Sequence, residues 1–335
     1  MTVKLTHPEW NQEIGGLEVA EAFAAQIKGK TVLITGISPS SIGSSISLSI
    51  ASQSPALLIL ASRTLSKLSE VASTITSSYP HVSVCTVPLD LMSQSSIEAS
   101  AAAVTKLTST LDIVINNAGL MTQTRQLTAE NIEGQFGANH IGHFLFTNLL
   151  MPLILAAAKI NPPGATRIIN LTSLGHRLSP IRFHDVNLEG KEVPPEELFP
   201  GELPAMFQAT GEDGYNGYIA YGQAKTANIL FSVSLTEKLK KEGVVSYAVH
   251  PGCLSRDLDA DGEEAIRKTS PFWKNHDQGA ATILVAAFDP VLNKPQGILL
   301  HDCQIMDPAP HATDSKIAER LWALSESLVA REFKL

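Results

Sequence analysis

The sequence has little charge, few cysteines and no long apolar run. Only 17% of its 335 residues are charged whereas 44% are hydrophobic, a balance typical of an ordered globular protein. Lysine and arginine number 25 against 33 aspartate and glutamate, so the formal net charge is −8. Because there is no basic surplus to neutralise phosphates, we expect no nucleic-acid partner.

The three cysteines, Cys85, Cys253 and Cys303, are odd in number and widely spaced. This pattern indicates neither a disulfide framework nor a CxxC metal site, and it fits a reducing compartment such as the cytoplasm. The N-terminus has no basic segment followed by an apolar one, and no apolar run approaches the roughly 18 residues of a membrane helix. We therefore expect no secretion signal and no membrane span.

Short apolar runs alternate with helical patterns along most of the chain. This alternation predicts an α/β protein with a Rossmann-type, doubly wound parallel sheet, in which ligands bind outside the carboxyl ends of the strands. Chemistry should therefore be sought directly after each strand. The predicted strands are residues 31–35, 56–61, 82–87, 112–115, 166–171 and 244–249.

The chain has no segment that resembles a linker, so we predict a single domain with additions. Residues 1–29 form an N-terminal extension with a weakly amphipathic helix, 30–310 the catalytic domain, and 311–335 an amphipathic C-terminal helix. The long irregular loop 174–220 should cover the substrate site. Its large apolar side chains indicate either a bulky apolar substrate or loop packing: Phe183, Leu198, Phe199, Met206 and Phe207.

A glycine-containing turn, TGISPSSIG at 35–43, follows the first strand and opens a helix. Backbone N–H groups and the helix dipole can hold a pyrophosphate there. The alternative is that the two glycines only supply permissive backbone. The candidate cofactor residues of this turn are Gly36, Ser38, Ser41, Ile42 and Gly43.

The second, third and fourth strands end in further candidates. Arg63 can clasp a 2′-phosphate where a NAD enzyme usually presents an acidic residue, so NADP(H) is preferred over NAD(H), although exposed arginines are common. Asp90, followed by Leu91, can accept a hydrogen bond from the adenine amino group or cap a helix. The sequence NNAG at 116–119 is more specific, because Asn117, Ala118 and Gly119 let the backbone lie against a cofactor while the amides tie strands together.

Tyr221 and Lys225 stand at i and i+4, so their side chains can act on one region of the cofactor. A nearby cation favours the phenolate, which makes the tyrosine a usable acid or base closer to neutral pH. Lys225 can also hold ribose hydroxyls. Ser173, at the end of the fifth strand, can hydrogen-bond the reacting oxygen, and Thr172 is a local competitor for that role.

The ordered set of the TG turn, Asp90, NNAG, Asn139, Ser173, YxxxK and HPG at 250–252 resembles the classical short-chain dehydrogenases/reductases over roughly residues 30–300. The segments NHIGHF at 139–144 and SLGHR at 173–177 resemble the retinol-dehydrogenase-like branch. The SPxxIG turn is similar to that of its fungal oxidoreductase relatives, which suggests secondary metabolism as a setting.

This resemblance implies a catalytic tetrad of Asn139, Ser173, Tyr221 and Lys225, with Asn139 supporting a water-linked proton path to Lys225. It also implies that the segment after strand six contacts the nicotinamide carboxamide. The chain departs from the family in its glycine turn, where one residue is inserted and Ser41 replaces the middle glycine, and this puts the pyrophosphate geometry in doubt. The implied carboxamide-binding segment comprises Pro251, Gly252, Leu254 and Ser255, the last in place of the usual threonine.

The expected activity is reduction of a ketone or aldehyde on an apolar small molecule. The alternatives are a catalytically silent nucleotide-binding regulator, or an enzyme of the same fold that performs epimerisation, dehydration or cyclisation. We predict no metal site, because His140, His143, His176 and His250 lack a ligand motif such as HExxH. The apolar face of the YxxxK helix is either core or the interface of a homodimer. It comprises Ile219, Ala224, Ala227, Leu230 and Phe231.

Overall fold

A computed structural model describes residues 4–254 and 272–335. The described residues form one mostly parallel sheet whose strand order is β3-β2-β1-β4-β5-β6-β7-β8. The order reverses direction between β1 and β4, which opens a crevice at the carboxyl ends of these strands. The strands are β1 Thr31–Thr35, β2 Leu57–Ser62, β3 Val84–Pro88, β4 Ile113–Asn116, β5 Thr166–Leu171, β6 Val244–His250, β7 Leu299–His301 and β8 Gln304–Met306.

The predicted doubly wound fold is confirmed, but the expectation of six strands was wrong. β7 pairs parallel with β6, and β8 returns antiparallel beside it. A two-residue turn joins them, and both of its residues, Asp302 and Cys303, have positive φ (48° and 59°). Glycine or asparagine usually marks such a turn, so strands of three residues around Asp-Cys gave no hairpin signal.

Helices cover both faces of the sheet because strand residues alternate between two apolar layers. Val32 and Ile34 belong to one core cluster, while Leu33 belongs to the other. The helices are α1 Gly16–Ala22, α2 Ala24–Ile27, α3 Ile42–Ala51, α4 Leu65–Ser78, α5 Gln94–Leu107, α6 Gly134–Phe136, α7 Gly142–Leu149, α8 Met151–Ala158, α9 Gly217–Leu239, α10 His276–Phe288 and α11 Ser315–Leu328, with a π-helix at Gly137–Ile141.

Both ends of the chain pack onto this framework. Near the N-terminus, Thr6 donates from its backbone N and its Oγ1 to the two carboxylate oxygens of Asp289, at 3.0 and 2.6 Å. Leu17, near the start of α1, is 50% exposed, whereas Val19 and Ala20 of the same helix are buried. At the other end, Trp322 of α11 packs edge-on against Phe144 of α7, with ring centroids 4.9 Å apart.

The apolar face of α9 has an intramolecular partner. Ala227, Leu230 and Phe231 lie in the same core cluster as Leu321 and Trp322 of α11. This part of the face is therefore core, and a homodimer contact through it stays a prediction. Among the described helices none is by itself both long and apolar enough to cross a membrane, although the bent pair 134–149 and 151–158 meets that test when its two members are taken together.

Candidate active site

A cavity of about 640 Å³ opens at the carboxyl ends of the central strands. Ligand pockets are typically about 300 to 1,000 Å³, so the volume suits a large cofactor. Fifteen of the predicted cofactor residues line it: Gly36, Ser38, Ser41, Ile42, Gly43, Arg63, Asp90, Leu91, Asn117, Ala118, Gly119, Tyr221, Lys225, Pro251 and Leu254.

Two predicted cofactor residues are not part of this lining. Ser255 lies outside the described residues. Gly252 has a φ of +103°, and a Cβ at this position would lie 2.6 Å from Cδ of Lys274. The ammonium group of that buried lysine lies 2.7 Å from Asp302 Oδ1. The positive φ and the packing of Lys274 both favour glycine at position 252, and its contact with the cofactor stays a prediction.

The glycines of the first turn are required by close packing. Gly36 has a φ of +77°, and a Cβ there would lie 2.5 Å from the Cα of Ala118. A Cβ on Gly43 would lie 2.5 Å from the Gly36 carbonyl oxygen. Real side chains do not tolerate such distances, so permissive backbone alone does not account for these two glycines. They allow the first turn to lie directly on the NNAG turn.

Serine hydroxyls replace the missing middle glycine with local hydrogen bonds. Ser41 Oγ accepts from Ser44 N–H at 3.2 Å and donates to the Ser38 carbonyl at 2.7 Å. Ser44 Oγ in turn accepts from Ser41 N–H at 3.1 Å, which completes a capping box at the start of α3. Ser40 takes a φ of 50°, a region that glycine enters more readily. The turn is thus self-supporting despite its departure from the family pattern.

The two asparagines of NNAG join three strands. Asn116 Nδ2, on β4, donates to Asn170 Oδ1 on β5 at 2.8 Å. Asn117 Nδ2 donates to the Thr35 carbonyl at the end of β1, also at 2.8 Å. Both partners are more than 50 residues away in sequence. The segment is therefore a tertiary junction rather than a plain turn.

The outer end of the cavity, beside the start of α4, is lined by exposed polar side chains. Arg63, Thr64 and Lys67 surround the start of α4, and all three are exposed. Asp90 Oδ1 accepts from Met92 N–H at 3.0 Å, while Ser93 caps α5, so Asp90 does not serve as the helix cap. Lys67 was not predicted as a site residue, although its position four residues after Arg63 could have indicated it.

The four predicted catalytic residues lie near one another, and two of them, Tyr221 and Lys225, line the inner end of the cavity, whereas Ser173 and Asn139 are not part of its lining. Lys225 Nζ lies 5.3 Å from the ring centroid of Tyr221. A Cβ built on Gly119 would lie 3.4 Å from Asn139 Oδ1 and 3.5 Å from Lys225 Nζ. A Cβ built on Gly175 would lie 3.1 Å from Tyr221 Cδ1 and 3.5 Å from Ser173 Oγ. Side chains from the turn after β5, from α9 and from the π-helix thus surround one small volume.

Ser173 and its neighbour Thr172 differ in the partners of their hydroxyl groups. Thr172 is buried, and its Oγ1 donates to the Lys225 carbonyl at 2.7 Å. Ser173 Oγ accepts from Gly175 N–H at 3.1 Å. Since the Thr172 hydrogen is committed to α9, Ser173 is the hydroxyl that remains beside the tyrosine.

Asn139 lies in the π-helix, a local widening of the helix that often occurs at functional sites. Its Oδ1 accepts from Leu120 N–H at 2.6 Å, and its Nδ2 donates to the Leu120 carbonyl at 2.9 Å. The residue is fully buried. Asn139 therefore holds the backbone directly after NNAG with both of its polar atoms.

Comparison with known proteins agrees with this geometry. A family model described as short chain dehydrogenase matches residues 30–182. Mouse retinol dehydrogenase 12 is 33% identical over 312 residues, which cover 92% of this chain and 89% of that protein. The chain belongs to the short-chain dehydrogenase family. Oxidoreductase fscI of Fusarium equiseti is 33% identical over 241 residues, covering 70% of this chain and 91% of that one.

These relatives confirm the retinol-dehydrogenase-like branch and an enzyme of the oxidoreductase class. The crystal structure of an NADPH-bound carbonyl reductase from chicken fatty liver aligns with a TM-score of 0.58 and 20% identity. The alignment covers 84% of this chain and 100% of that one. At this level of identity it confirms the Rossmann-type fold alone.

Two of the histidines in this short-chain dehydrogenase, His176 and His250, are buried and packed against neighbouring groups. His176 Nδ1 lies 2.7 Å from the Ser173 carbonyl, and burial lowers its pKa to about 4. His250 stacks on His301 with centroids 4.6 Å apart, and burial lowers the pKa of His250 well below its usual value. Within residues 4–254 and 272–335, no three His, Cys, Asp or Glu side chains are grouped to hold a metal ion.

The large apolar side chains of loop 174–220 do not line the cavity. Phe183 packs against the second core cluster, with the Arg320 guanidinium 3.9 Å above its ring. Phe207 packs edge-on against Tyr218 at 5.2 Å. Loop packing thus accounts for these two aromatic rings, and Leu198 and Met206 are exposed.

Proposed function

We propose that this enzyme is an NADP(H)-dependent reductase that interconverts a carbonyl and an alcohol on an apolar small molecule. The observation that carries the proposal is the grouping of Ser173 and Asn139 with Tyr221 and Lys225, which line the inner end of one cavity. A phenol, a cation and a hydroxyl in this arrangement can transfer a proton to a carbonyl oxygen and stabilise its developing charge.

The residues present fit a dinucleotide. Gly36 and Gly43 line the cavity without a side chain, so a phosphate can approach the backbone of the first turn at these two positions. Ile42 and Gly43 occupy the first two positions of α3 and line the cavity, and N–H groups at these positions have no partner within a helix. They would hold the pyrophosphate, while Ser41 satisfies Ser44 N–H.

The chemistry divides among the chain's own groups. A bound cofactor supplies or accepts the hydride. Tyr221 holds the proton on its phenol oxygen and passes it to the substrate oxygen during reduction. The Lys225 ammonium group, 5.3 Å from the ring, favours the phenolate that remains. Ser173 accepts one bond from Gly175, so its own hydrogen can point at the substrate oxygen.

The preference for NADP(H) rests on the outer end of the cavity. Arg63 and Lys67 place two exposed cations there, where a 2′-phosphate would lie. NADP(H) in turn favours reduction as the direction. An apolar substrate is supported by Leu120 and Met121, which line the cavity next to the catalytic group. Free thiols at all three cysteines support a cytoplasmic location.

Tyr221→Phe tests the proposed function. We expect turnover of a panel of apolar aldehydes and ketones, retinal among them, to fall about 10²- to 10⁴-fold because the phenol proton is lost. NADPH affinity, measured by fluorescence titration, should hardly change. Tyr218→Phe is the matched control, since it removes a hydroxyl from the same helix at a ring that packs on Phe207.

Equal turnover in the Tyr221→Phe variant and the wild-type enzyme would rule out this assignment. Tight NADPH binding by a wild-type protein that turns over no carbonyl compound would instead favour the silent regulator.

A further inference from the structure

His143 connects two parts of the active site without lining the cavity. It lies on α7 one turn after Asn139 and is 2% exposed. Its Nδ1 is 3.0 Å from the Asn139 carbonyl oxygen, and its Nε2 is 2.9 Å from Thr35 Oγ1 at the end of β1. Thr35 Oγ1 also accepts from Ala118 N–H at 3.0 Å. One imidazole therefore joins the π-helix to the strand that carries the glycine turn.

The chemistry of these groups determines where each hydrogen lies. A carbonyl oxygen only accepts, so His143 Nδ1 carries the ring hydrogen. Burial lowers the pKa of His143 to about 4, and the ring is therefore neutral near pH 7, with a lone pair on Nε2. The Thr35 hydroxyl donates to that lone pair while its oxygen accepts from Ala118. Every bond in the chain thus has one donor and one acceptor.

This chain of hydrogen bonds holds both ends of the backbone around Gly119. Thr35 fixes Ala118 on one side, and the Asn139 side chain fixes Leu120 on the other. Gly119 lies between them, with the position of its absent Cβ 3.5 Å from Lys225 Nζ. His143 contacts both anchoring residues, because the imidazole bonds to Thr35 directly and to the backbone of Asn139.

We propose that His143 is a positioning residue: it holds Asn139 and the 118–120 backbone in register with β1, and thereby fixes the floor of the site beside Lys225. The inference rests on the proposed function and extends it to a residue outside the cavity. A merely structural role predicts only a loss of stability from substitution. A positioning role predicts in addition a loss of kcat/KM and of cofactor affinity.

His140 provides a matched control for the loss of a buried imidazole. It is 1% exposed and precedes His143 by three residues. Its Nε2 lies 2.8 Å from Ser325 Oγ of α11, away from the glycine turn, and its ring packs near Phe136 and Phe231. His140→Leu therefore removes a buried histidine and one hydrogen bond without touching the chain to Thr35.

The experiment compares His143→Leu with His140→Leu in the full-length enzyme. We expect kcat/KM with NADPH and a carbonyl substrate to fall about ten- to a hundredfold in His143→Leu, as for small misplacements of catalytic groups. His140→Leu should lose melting temperature but less than about threefold of kcat/KM, since it lies outside the chain. Equal kcat/KM in the two folded variants would overturn the inference.

Thr35→Val tests the same chain of hydrogen bonds at Thr35, the partner of His143 Nε2. It removes the hydroxyl at nearly constant volume, and we expect a loss of the same order, which Thr35→Ser should largely restore. The kcat/KM of the double variant Thr35→Val/His143→Leu should be little lower than that of the more impaired single variant, because both substitutions break the same chain of hydrogen bonds. Losses that simply multiply would contradict the proposal.

His143→Asn covers the case in which His143→Leu does not fold. Asn148 on the same helix donates to the carbonyl four residues earlier at 2.9 Å, so an asparagine at 143 can keep the bond to Asn139 while losing Thr35. We expect an intermediate kcat/KM, and a value equal to wild type would count against the chain. If the wild type turns over no substrate, NADPH dissociation constants of the same variants still separate the two roles.

Discussion

The two ends of the cofactor cavity differ in burial. At the inner end, Asn139 and Lys225 are 0% and 3% exposed, and each is hydrogen-bonded to backbone from another segment. At the outer end, Arg63 and Lys67 are exposed side chains around the start of a helix. The same cavity therefore joins a buried, hydrogen-bonded polar site to an exposed, solvated one.

This difference separates chemistry from cofactor choice. Buried polar groups must be paired, so their positions are determined by several partners at once, and removing one leaves the others unsatisfied. Exposed cations keep many rotamers and are screened by solvent, so each contributes a smaller free energy. Substitutions should have large effects on turnover at the inner end and modest effects on affinity at the outer end.

Among the substitutions Gly36→Ala, Arg63→Ala and Ser41→Ala, the first should weaken NADPH binding most. It places a side chain between the first turn and the NNAG turn. A Cβ there would lie 2.5 Å from the Ala118 backbone, and the positive φ adds strain of about 1 to 3 kcal/mol. We expect the NADPH dissociation constant to rise more than about tenfold, since the two turns must separate.

Gly29→Ala provides the control, because Gly29 has nearly the same φ, +75°, with no atom within 4 Å of its Cβ position. It should lose stability by the same backbone strain and bind NADPH normally. Equal binding by the two variants would show that the contact between the turns is dispensable.

Arg63→Ala tests the outer end directly. Loss of one charge-assisted hydrogen bond at an exposed, solvent-screened site, about 1 to 1.4 kcal/mol, should raise the NADPH dissociation constant about five- to tenfold and leave NADH binding unchanged. Arg331→Ala, which removes another exposed arginine paired with Glu98, is the control. A parallel change for both cofactors would mean that Arg63 does not contact the 2′-phosphate.

Ser41→Ala should have the smallest effect on binding. It removes the side-chain cap of α3, which costs about 1 kcal/mol of folding free energy. NADPH affinity should change less than about fivefold, because the N–H groups of Ile42 and Gly43 remain. Ser93→Ala removes the equivalent cap of α5 and should match it in melting temperature alone. A hundredfold loss of affinity would instead make Ser41 a direct phosphate ligand.

The sequence predicted the parts of this molecule that local patterns encode. The strands β1 and β5 have the predicted bounds, because a strand buried on both faces reads as a continuous apolar run. Tyr221 and Lys225 were readable because the i, i+4 spacing of a helix is fixed. The hairpin β7–β8 was missed because its turn residues, Asp302 and Cys303, carry no glycine signal.

Sequence by itself thus determined the doubly wound sheet, the glycine turn and the residue types of the catalytic group. Only the tertiary structure distinguishes the hydroxyls of Thr172 and Ser173, since adjacent hydroxyls differ in their partners and not in their pattern. It also revealed the link from Thr35 to His143, which spans 108 residues. Such contacts depend on how distant segments pack, and no local periodicity records that.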